Sequence, residues 1–134
     1  MLVCGCAGTL VELLLIGHDE SAPQFVPLAL LSVGTVIALS AVVAPSVIAL
    51  RALQGLMVAF LISGPVGIGL HSRGNLEFEL ERQPNAAGFP LFSKVATGAT
   101  PVLAPGSMAL LGAVGLASTY RHPLLRSAAE TLPS

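Results

Sequence analysis

Hydrophobic residues fall into four blocks along the chain, separated by polar interruptions of very unequal length. The first, residues 2–17 (LVCGCAGTLVELLLIG), is apolar except for Glu12 and gives way to HDESAPQ. As a helix its 16 residues reach about 24 Å, a little short of the ~30 Å hydrocarbon core of a bilayer. No basic residue precedes it, which suggests a start upstream of Met1. The second block, 26–50, has no charged residue, and its 25 positions suffice for a tilted transmembrane helix. Arg51 interrupts, and 52–70 forms the third block. A single helix over both would overshoot the bilayer by about 35 Å, so a tight hairpin is expected at Arg51. The fourth block, 101–119, has Thr100 as a candidate N-cap, Pro101 at the first helical position and Pro123 beyond its end.

Residues 71–100 are the only substantial polar stretch. Within RGNLEFELER (73–82), Leu76, Phe78 and Leu80 alternate with Glu77, Glu79 and Glu81, the period of a strand with one wet face. Gly74-Asn75 supplies a turn signal, and a helix starting at Asn75 is the competing reading. Alternation assigns Leu76, Phe78 and Leu80 to a face that covers the outer mouth of the bundle or docks a partner. It leaves the glutamates in water, with Arg73 and Arg82 at either end. Further on, Phe89, Phe92, Val95 and Ala96 suit a short amphipathic helix lying at the membrane interface. The expected fold is all-α: a single membrane domain over 1–134, a bundle of four transmembrane helices with one polar outer loop.

Composition agrees. Of 134 residues, 54% are hydrophobic and 10% charged, against about 25% charged in soluble domains. A net charge of −1 with scattered cations offers no footprint for nucleic acid. Arg51, Arg121 and Arg126 share one end of a four-helix path and Asp19 and Glu20 the other, so both termini are expected in the cytoplasm. Cys4 and Cys6 have no second cluster nearby and read as small apolar helix residues, neither disulfide nor zinc ligands.

Glu12 is the first candidate for chemistry, because a carboxylate inside a membrane is costly and persists only with compensation. With Gly5 and Gly8 it forms one helical face, expected to point into the bundle, where it serves as a proton- or cation-binding group or a structural hydrogen-bond acceptor. A second group, His18, Asp19, Glu20, His71, Glu77, Glu79 and Glu81, gathers at the outer side without the spacing of a metal motif, and reads as a solvated face. Small residues recur every four positions at Gly55, Ala59, Ser63 and Gly67, and again at Ala109, Ala113 and Ala117, as helix-packing ridges. Pro45, Pro65 and Pro105 fall inside the expected spans. No nucleophile elbow, phosphate loop or HExxH occurs, and no cofactor or metal is expected.

HSRGNLEFELE and GATPVLAPGSMALLGAVGLASTYRHP, in the C-terminal half, resemble stretches of small bacterial integral membrane proteins of unknown function, which implies a membrane location and points to no particular activity; the expected location is the bacterial inner membrane, multi-pass. Four short helices with a glutamate in the first are also similar to the small multidrug resistance transporters. That likeness implies Glu12 as a proton-coupling carboxylate. The aromatic site and short loops of those transporters have no counterpart here. The expected function is therefore a non-enzymatic accessory or structural subunit, docking a membrane-protein partner or a second copy through the ridges and the outer loop. The alternative is a small proton-coupled transporter using Glu12.

Overall fold

A computed structural model describes residues 1–98 and 102–130. Among the described residues, six helices follow one another: α1 (Leu2–Leu15), α2 (Ala22–Val43), α3 (Val47–Arg82), α4 (Gly88–Ala96), α5 (Gly106–Thr119) and α6 (Pro123–Glu130). Among the described residues there is no strand. Thr100 and Pro101, the expected cap of the last span, lie outside the described residues.

Each break has a local cause. Gly17 ends α1 in a left-handed conformation (φ 69°), with its N–H donating to the Leu14 carbonyl and that of His18 to Leu13, the paired bonds of a Schellman stop. Ser21 starts α2, and Gln24 reaches back to accept the Ser21 N–H at 2.8 Å. The turn between α2 and α3 is Ala44-Pro45-Ser46, not Arg51 as expected. Proline keeps the residue before it out of the helical region, and Ala44 sits at φ −135°, ψ 71°. Ser46 then caps α3 by accepting the Ala49 N–H at 3.1 Å. Arg51 is a good helix former and lies, exposed, within α3.

α1, α2, α3 and α5 run alternately up and down around a core of Cys6, Leu31, Ala38, Leu53, Met57, Phe60 and Met108. Leu2, Val3, Cys6, Leu10 and Leu13 form the inner stripe of α1 at helical spacing. α3 packs most extensively on α5, and the approach is close at Gly112, where a Cβ would sit 2.6 Å from the Met57 carbonyl oxygen. Outside this core the helices are apolar almost all round. Val36, Val42, Val43, Ile48, Ile62 and Leu110 are exposed. In the most apolar stretches of α2 and α3 only 22% and 28% of residues are buried, whereas a core helix of a soluble protein is mostly buried. Both helices are long and apolar enough to cross a membrane; α1 and α5, at 14 residues each, are shorter apolar helices.

α3 continues 36 residues, about 54 Å. The ring of His71 lies 6.2 Å from that of His18 in the α1–α2 turn, so the helix projects beyond the bundle from there. Residues 72–82 add about 16 Å of polar helix. RGNLEFELER is thus the end of a long helix, and α4 folds back along it.

Candidate functional site

The projecting hairpin of α3 and α4 is held by polar groups. Asn75 and Glu79, one helical turn apart, are 3% and 8% exposed. The Asn75 side-chain amide donates to the Val95 carbonyl at 2.9 Å. Lys94 Nζ donates to Gln83 Oε1 at 2.9 Å and lies 3.7 Å from a Glu79 carboxylate oxygen. Gly98 passes so near Asn75 that a Cβ there would fall 2.8 Å from the amide carbon. Asn75, Glu79 and Gln83 form a stripe at four-residue spacing that a helical reading of the sequence would have exposed.

This replaces the alternating arrangement. At about 100° per residue, Leu76 and Leu80 share a side of the helix while Phe78 points elsewhere. All three are exposed, and the Arg82 guanidinium lies 5.5 Å from the centre of the Phe78 ring. Glu77 and Glu81 are in water as expected, Glu77 accepting from Arg73 Nε at 2.7 Å, but Glu79 is not. The cause is the partner surface: α4 presents a lysine and a carbonyl to α3, which carboxylate and amide satisfy and leucine does not. The outer faces of α4 carry Phe89 and Phe92, 78% and 66% exposed, with their rings 6.3 Å apart. The expected amphipathic helix exists, set along the end of α3.

Glu12 stands on the exposed side of α1, away from the Cys6 stripe, and Gly8 beside it has open space where a Cβ would be. The expected inward direction of the Gly5/Gly8/Glu12 face is corrected. Larger side chains at Leu10 and Leu13 occupy the contact with the bundle, and only Gly5 packs closely, against Leu111. It lies three residues before the end of α1, ahead of the polar α1–α2 turn that carries His18.

At that turn, His18 and His71 are tilted at 49° to each other. Burial pushes the His18 imidazole below its ordinary value of 6.5, with neighbouring His71 adding to the effect and Asp19 opposing it. Among the described residues no three of His, Cys, Asp or Glu converge as metal ligands do. Of the proposed ridge, Gly67 packs against Pro105, Ala59 and Ser63 are half-buried, and Gly55 is exposed with open space beyond it. Within the chain the close contacts of α3 with α5 use Met57 against Gly112 and Gly115 and Gly64 against Ala109, while Phe60 packs against Gly34 of α2. Ala113 and Ala117 face outward.

Comparison with protein-family models, characterised proteins and solved structures finds no match.

Proposed function

We propose that the chain is a non-enzymatic multi-pass membrane protein, an accessory or structural subunit that docks a partner protein through the α3–α4 hairpin. In this reading α1, α2, α3 up to His71, and α5 cross the bilayer, both termini are cytoplasmic, and the hairpin stands outside. The observation that carries it is the exposure of apolar side chains around α2 and α3 on every side that does not face the small core. Water does not tolerate that much contiguous apolar surface; lipid does. α1 and α5, about 21 Å each, are short for the ~30 Å core, which local thinning of the bilayer accommodates. The hairpin adds the docking element, because Phe89 and Phe92 are exposed on a segment whose other face is fixed by the Asn75, Glu79 and Gln83 contacts.

A photo-reactive phenylalanine analogue at position 89 or 92, activated in native membranes, tests this directly. Adducts to a discrete protein are expected. Adducts to phospholipid alone would show the hairpin lying on the bilayer and would remove the docking role. For the transporter alternative, the exposed position of Glu12 offers no enclosed site.

A further inference from the structure

The end of the bundle opposite the hairpin contains a cleft of about 310 Å³, at the lower edge of the volumes that hold small ligands. It lies between the first residues of α1, the small side chains of Ala38 and Ala41 on α2, and the facing ends of α3 and α5. Leu2, Val3, Leu50, Leu53 and Val114 make the apolar walls, and Ser118, Thr119 and His122 form one polar side. Walls of this kind hold water poorly and accept hydrocarbon.

The same end carries Arg51, Arg121 and Arg126 against the single described carboxylate of Glu130. Arg51 Nη1 is 3.4 Å from Gln54 Oε1, and Gln54 Nε2 is 3.3 Å from the Thr119 hydroxyl on the cleft wall. Arg121 adopts φ 53°, a left-handed conformation uncommon for a residue with a side chain. Its guanidinium lies 5.3 Å from the centre of the exposed Tyr120 ring, while the next residue, His122, lines the cleft. His122 Nδ1 is buried with no hydrogen-bond partner in the folded chain.

We propose that this cleft binds one acyl chain of an anionic membrane phospholipid, whose phosphate is held at the rim by the arginines. The inference rests on the membrane reading above and deepens it. An apolar slot at the end of the bundle that carries Arg51, Arg121 and Arg126 matches a lipid with a negative headgroup, with Arg51 joined to the cleft wall through Gln54 and Thr119, and arginine pairs with phosphate through two parallel hydrogen bonds. It also agrees with the cytoplasmic assignment of this end, where anionic lipids attract basic residues.

The test reconstitutes the full chain into phosphatidylcholine vesicles doped with a phosphatidylglycerol bearing a diazirine on its acyl chain, with a phosphatidylcholine of identical chains as control. Adducts mapped by mass spectrometry should concentrate on residues 38–42, 50–53 and 114–118 for the anionic probe and not for the neutral one. Ala41→Leu, at a half-buried position, and Ala38→Phe should each fill the cleft and remove those adducts. Arg121→Gln with Arg126→Gln, both exposed, should remove the preference for the anionic probe without disturbing the fold. Equal labelling by the two probes, or labelling of the cleft that survives Ala41→Leu, would overturn the site while leaving the membrane reading intact. Release of the chain from the vesicles by alkaline carbonate would overturn both.

Discussion

Asn75 and Glu79 show how one spacing hides two structures. In LEFELE the alternation of apolar and acidic residues satisfies the two-residue period of a strand, yet Asn75, Glu79 and Gln83 satisfy a helical one. The helical stripe is polar, and burial of polar residues depends on a partner surface that no local pattern specifies. Removing the Asn75 amide should therefore matter more than removing the Phe78 ring. Asn75→Ala leaves the Val95 carbonyl without its donor and is expected to cost about 0.5–1.5 kcal/mol, read as faster amide exchange across residues 88–98. Phe78→Ser should leave that exchange unchanged. At the other residue pair, burial and His71 hold His18 below its ordinary 6.5. A histidine with a depressed folded value takes up protons less readily folded than unfolded, so its contribution is intact above pH ~6.5 and is lost as pH falls through the folded value. His71→Asn should bring the His18 titration, followed by NMR, back toward 6.5.

At the scale of elements, the sequence located every apolar helix but not every boundary. The first block was legible because a polar segment follows it; the last was not fully so, because α5 starts at Gly106 with Pro105 as its N-cap and not inside the helix as expected. The turn between the second and third was misplaced because Arg51 is conspicuous in a hydrophobic run, whereas Pro45, the residue that excludes Ala44 from the helix, is itself apolar. The packing ridge was legible as a kind of surface and not as a register. Several small residues recur along α3, and only the approach of α5 distinguishes them. Gly112→Ala places a Cβ 2.6 Å from the Met57 carbonyl oxygen and 2.9 Å from the Leu61 nitrogen. It should lower stability by about 1–3 kcal/mol, by analogy with overpacked cores. Gly55→Ala has open space and should be neutral or stabilising by up to ~1 kcal/mol through helix propensity. Thermal melting of the two variants in one detergent separates them. Equal melting points would show that Gly55 packs against a second copy or that the α3–α5 contact is looser than it stands.

For the molecule as a whole, the two ends are chemically unlike. One carries three arginines and an apolar cleft; the other extends into a polar hairpin tipped with exposed phenylalanines. That polarity follows from where charge sits in the sequence, because the apolar helices between the ends have little charge to place. The central claim is that these ends lie on opposite sides of a membrane. It is tested most directly by an impermeant maleimide applied to intact cells expressing a Cys4→Ser, Cys6→Ser chain with a single cysteine at Asn85 or at Ser127. Asn85→Cys is expected to react before lysis and Ser127→Cys only after it. Reaction of both before lysis, or of neither until lysis, would contradict it.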